Sequence, residues 1–98
     1  MKNADSDRQL SDLVSVGPAT LRDLDRLGIR SVGQLARQEP DRLYRRLCSL
    51  TGTRQDPCCG DVFAAAIAQA RDPDLPAEKR RWWYWSRVRK LRAKKTGR

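Results

Sequence analysis

The chain predicts an all-α fold, a compact bundle of five or six short helices. Its apolar residues recur at the three- and four-residue spacing of a helix face, and its Pro and Gly residues stand where helices start and stop. No stretch shows the two-residue alternation of a strand. With 98 residues there is chain enough for one core and not two. A composition of 39% apolar and 34% charged residues suits a small globule better than a disordered chain.

The elements follow in order. Residues 1–6 are expected to be disordered, and a helical domain to span residues 7–91. From Asp7, the spacing of Leu10, Leu13 and Val14 predicts a first helix, stopped at Ser15-Val16-Gly17. Pro18 opens a second helix at the position where its missing N–H costs nothing, with Leu21, Leu24 and Leu27 inward and Gly28 as C-cap. Ser31 caps a short third helix that buries Val32, Leu35 and Ala36. Pro40 starts a fourth, with Leu43, Tyr44, Leu47 and Cys48 inward and Arg42, Arg45 and Arg46 outward, read as a solvated face first and as an extension of a positive surface second.

After a loop at residues 51–55, Asp56 and Pro57 cap and start a fifth helix reaching Arg71, apolar nearly all round and so the central element. A proline-punctuated connection at residues 72–76 leads to a last helix from about Glu78 to Leu91, and residues 92–98 read as a basic disordered tail.

Charge is distributed unevenly. The chain carries +9 overall, yet residues 1–76 hold eleven basic and eleven acidic side chains. The surplus therefore resides in residues 77–98, where ten basic side chains face Glu78 alone. Such a cluster favours a polyanion, nucleic acid first and an anionic membrane surface second. No apolar run approaches a membrane span. Three cysteines, two of them adjacent, make no disulfide framework and point to a reducing cytoplasm.

The stretch from Leu10 to Pro40 has the cadence of a helix-hairpin-helix. A bend feeding a helix N-terminus aims unpaired backbone N–H groups at one spot, which suits a phosphate oxygen. Ser15, Val16, Gly17 and Ala19 at the bend, with Thr20 and Arg22 assisting, form the first candidate nucleic-acid contact. The second lies on the last helix, where a 100° projection gathers Trp83, Arg87, Lys90 and Lys94: an aromatic plate beside three cations, able to stack a base and neutralise phosphates. Tyr84, Trp85, Val88 and Leu91 gather on another side and are expected to dock on the bundle, with Trp82 also placed in the core.

Val16-Gly17-Pro18-Ala19-Thr20, Leu24, Leu27-Gly28-Ile29, Leu43-Tyr44, Asp56-Pro57-Cys58, Val62-Phe63 and Trp82-Trp83-Tyr84-Trp85-Ser86 carry a further likeness. Over residues 8–90 the chain resembles a small bacterial pathogenicity-locus family of helix-hairpin-helix proteins, some of whose members carry the label mitomycin resistance protein. The resemblance implies that fold and a DNA-related role, with no established activity. Two departures stand out: Ser15 occupies the place of the usual first Gly of the hairpin, and Ala19 that of a Lys found in a common DNA-binding version.

The residues for catalysis are sparse. There is no His, no nucleophile–base pair and no Walker-type loop. Cys48, Cys58 and Cys59 lack the spacing of a zinc site. Cys58, near a helix start, is the candidate for a reactive thiolate, while Cys59 beside Phe63 and Ile67 reads as core. The expectation is a monomeric, cytoplasmic, non-enzymatic module without cofactor or metal that binds nucleic acid, DNA before RNA, through its backbone. The alternative is a protein–protein interaction module, favoured by the balanced charge of residues 1–76.

Overall fold

Five α-helices, joined by short turns and two 3-10 turns, make up the described part of the chain in a computed structural model that covers residues 8–97, with side chains through residue 93. They are α1 (Pro18–Arg26), α2 (Val32–Ala36), α3 (Pro40–Thr51), α4 (Pro57–Arg71) and α5 (Trp82–Gly97). The all-α class is as expected, and no strand occurs among the described residues. The segment expected to be disordered at the N-terminus lies outside them.

The start signals act as read. Pro18, Pro40 and Pro57 each occupy the first turn of a helix, and Ser31 Oγ accepts the Gln34 N–H at 3.0 Å as the cap of α2. Gly28 and Gly52 take φ of 80° and 70°, the left-handed conformation that ends a helix without strain in glycine alone. Leu24, Leu35, Leu43 and Leu47 are wholly buried together with Phe63, Ala66 and Ile67. Burying each large apolar side chain contributes about 1.5–3 kcal/mol. Helix α4 is the hub, packed against α2, α3 and α5, and so apolar on most of its circumference. Its last residue, Arg71, donates to the Ala36 and Gln38 carbonyls at 2.9 and 2.7 Å and ties down the end of α2.

Three expectations need correcting. The first helix is only a 3-10 turn, Leu10–Asp12. There Asp12 Oδ2 accepts the Gln9 N–H at 2.8 Å, a local bond that competes with helix, and Leu13 turns extended to bury its side chain. The last helix begins at Trp82 and not Glu78, because Ala77–Arg80 forms a separate 3-10 turn and Arg81 is extended. Its backbone then stays helical to Gly97, through good helix formers in the segment expected as a disordered tail.

The third correction concerns the docked face of α5. Tyr84, Trp85 and Val88 are half-buried as expected, but Leu91 is 63% exposed, and the most buried residue of α5 is Ser86, with Trp82 half-buried beside it. The docked face is therefore shifted away from Leu91 and towards Ser86 and Trp82. Small Ser86 permits close approach, and Arg89 grips Asp61 of α4 through contacts of 3.0, 3.3 and 3.0 Å. Trp85 Nε1 donates to the Lys79 carbonyl at 2.7 Å, and its ring meets Tyr84 edge-on with centroids 5.1 Å apart.

Candidate nucleic-acid interface

The bend after Leu13 owes its shape to residues far along the chain. Gln69 of α4 is 4% exposed and holds Val14 from both sides: its Oε1 accepts the Val14 N–H at 2.9 Å, and its Nε2 donates to the Val14 carbonyl at 2.8 Å. The same Nε2 reaches the Arg80 carbonyl at 3.4 Å. Ser15 stands at φ 76°, where a side chain costs about 1–2 kcal/mol. Its hydroxyl offsets that cost by donating to the Arg80 carbonyl at 3.1 Å and accepting the Trp82 N–H at 3.2 Å. The departure from Gly noted at this position thus has a physical reason. The left-handed backbone is kept, and the hydroxyl caps the start of α5.

These bonds bring the two candidate contacts together. Val14, Ser15, Val16 and Gly17 form one wall of an open cavity of about 700 Å³, and Arg81, Trp82 and Trp83 form the other. Trp83 is 50% exposed, edge-to-face with Trp82 at 5.9 Å, and carries the Arg81 guanidinium 5.5 Å from its ring centroid. The N–H groups of Gly17, Ala19 and Thr20 meet no acceptor among the described residues, as the first turn of α1 requires. Val16 differs from expectation: its N–H is already given to the Leu13 carbonyl at 3.3 Å, so it contributes to the wall and not to the donor set.

Of the expected cationic stripe, Arg87 and Lys90 are exposed alongside Trp83, and Arg87 lies 5.9 Å from the Tyr84 ring centroid. The side chain of Lys94 lies outside the described residues. Arg22 is exposed and makes no ion pair among those described. Sequence reasoning missed Arg81, because an assumed helix start at Glu78 turned it elsewhere. It also missed Gln69, although a lone amide within an apolar helix is a visible signal of a buried polar clamp.

The cysteine reading changes. Asp56, capping α4, accepts the Cys58 N–H at 2.9 Å and is held below its ordinary range by that bond. The same carboxylate beside the Cys58 thiol pushes the thiol up, and burial adds to the rise. The N-terminal position that favours a thiolate is therefore overridden. Iodoacetamide is expected to alkylate Cys58 more slowly than free cysteine near pH ~8, since only the thiolate attacks. A rate equal to or above that of the free thiol refutes this. Among the described residues no group of three metal-ligating side chains comes together, and no helix is long and apolar enough to cross a membrane.

Residues 3–91 match the family described as "Pathogenicity locus". The chain is also 40% identical over 81 residues to the mitomycin resistance protein McrB of Streptomyces lavendulae, covering 83% of this chain and 73% of that protein. No solved structure matches it. With nearly all of its described fold inside the matched region, including the bend, the α4 hub and the paired tryptophans, the chain belongs to the pathogenicity-locus family.

Proposed function

We propose that this protein is a non-enzymatic nucleic-acid-binding module that grips the sugar-phosphate backbone without reading sequence. The bend serves as the hairpin-like turn between the 3-10 turn Leu10–Asp12 and α1, and DNA is the preferred polymer. One observation carries the reading: Gly17, the N-cap of α1 with an unpaired N–H, lies in the wall of the cavity whose opposite wall holds the Trp83–Arg81 pair, and the free N–H groups of Ala19 and Thr20 follow it in the first turn. Amide donors and a guanidinium suit phosphate oxygens, and the exposed indole suits a base or sugar face. The basic segment from Lys79 onward adds long-range attraction. Its three free cysteines are at home in a reducing cytoplasm, and a monomer suffices for this mode.

The test is a fluorescence-anisotropy titration with short duplex and single-stranded DNA at about 50 and about 200 mM salt, where each phosphate contact steepens the loss of affinity. Saturable binding that weakens sharply with salt is expected, and absence of binding at the lower salt overturns the proposal. Gly17→Ala is the local probe. A Cβ there meets nothing within 4 Å, and the φ of −105° is ordinary. The variant is expected to keep its stability within about 1 kcal/mol. It is also expected to bind duplex roughly tenfold more weakly, because its methyl occupies the approach to the α1 amides.

A further inference from the structure

A second cavity, of about 640 Å³, opens at the other end of α1 and is lined by Arg26, Leu27, Arg42, Arg45, Arg46, Ser49 and Leu50. We propose that it is a second grip on the same nucleic acid, in which guanidinium groups hold phosphodiester oxygens further along the strand. The inference rests on the nucleic-acid reading above and extends it to a new face.

Four arginines converge here and no carboxylate lines the cavity. Three acids pair elsewhere, Asp25 with Arg30, Glu39 with Arg71 and Asp61 with Arg89, and Asp41, which precedes Arg42 on α3, does not line the cavity. Of the cavity's arginines, Arg26 alone makes an ion pair among the described residues, with Asp23 at 3.7 Å. Arg42 and Arg45 are exposed with neither hydrogen bond nor ion pair among the described residues. Like charges gathered in one recess repel until an anion offsets them.

The recess is also prepared for an anion in a specific way. It sits at the C-terminus of α1, where the last carbonyls repel negative charge. Arg46 donates to the Leu27 carbonyl at 3.2 Å and so masks one of them. Its guanidinium is thereby fixed in place, with remaining donors to spare.

Position links the recess to the bend. Pro18, Arg22 and Arg26 follow one another at four-residue steps along a single exposed side of α1, a stripe that runs from the turn holding the free amides to the arginine recess. The nine residues of α1 separate them by about 13 Å, near the axial rise of four base pairs. Arg22 stands midway. A phosphate track fits this spacing better than an acidic peptide does. Leu27 is buried, leaving Leu50, 56% exposed, as the one apolar side chain that could anchor a peptide.

The deciding experiment measures duplex affinity across a salt series for the intact chain, for Arg42→Gln/Arg45→Gln, and for Arg30→Gln/Arg37→Gln. The last pair makes the same change in net charge outside the recess. The first pair is expected to reduce the slope of log affinity against log salt by about two, with the control pair reducing it by less than half as much. If the intact chain binds but both pairs behave alike, the second grip is refuted while the nucleic-acid reading stands. If the intact chain does not bind duplex, that reading fails first. Poly-glutamate binding that the first pair abolishes, with no duplex binding by the intact chain, assigns the recess to an acidic protein partner and overturns the proposal.

Discussion

Arg89→Ala is expected to remove about 3–5 kcal/mol of stability, because it leaves a carboxylate in the interior with no cation. Asp61 has a side chain only 4% exposed, on the face of α4 covered by α5. Arg89 supplies two of its nitrogens to that carboxylate, and Ser86 Oγ lies 3.5 Å from the guanidinium. Arg89 itself is 42% exposed, so little of the cost comes from its own packing. The cost is that of stranding the buried Asp61 carboxylate, which forces α5 to lift away from α4. A melting temperature roughly 15–25 °C lower is expected for a domain of this size. Asp61→Asn in the Arg89→Ala background should recover part of it, since a neutral amide is cheaper to bury than a lone charge. A fall of only a degree or two in the single variant refutes this account.

Gln69→Ala is expected to cost about 2–3 kcal/mol, with an effect concentrated at the bend. The amide holds both backbone groups of Val14 and also reaches the Ala65 and Arg80 carbonyls. Because Val14 is partly exposed, water replaces some of what is lost, which keeps the cost below that of stranding Asp61. Amide hydrogen exchange is the measurement of choice. Exchange at Val14 and Trp82 should accelerate far more than in the middle of α4, and uniform acceleration refutes a local clamp. Duplex affinity should fall with the loosened bend.

Most of the fold was legible because its punctuation is chemical. Pro18, Ser31, Pro40 and the Asp56-Pro57 pair set helix starts, and the left-handed Gly28 and Gly52 set ends, by local rules that tertiary packing did not overturn. Periodicity likewise found Leu24, Leu35, Leu43 and Leu47. It failed where polar pairing outranks hydrophobicity. A projection that scores apolar residues turns Leu91 inward and gives Arg89 no role, whereas the buried Asp61 draws the Arg89 guanidinium to it and Leu91 stays exposed. The first segment failed for a different reason: one turn of chain is too short to nucleate an α-helix against the competing side-chain bond of Asp12. The candidate interface was legible as two separate pieces. Their juxtaposition was not, because it depends on Ser15 and Gln69 reaching across the chain.

That long-range closure has a temporal consequence during translation. Chains fold as they emerge from the ribosome, and contacts far apart in sequence form last. The left-handed turn at Ser15 has no hydroxyl partner until Arg80 and Trp82 have been synthesised, although every residue of α1 to α4 is already present by then. A nascent protein halted before Arg80 therefore has Gln69 to hold Val14, but neither a partner for the Ser15 hydroxyl nor Arg89 to meet Asp61.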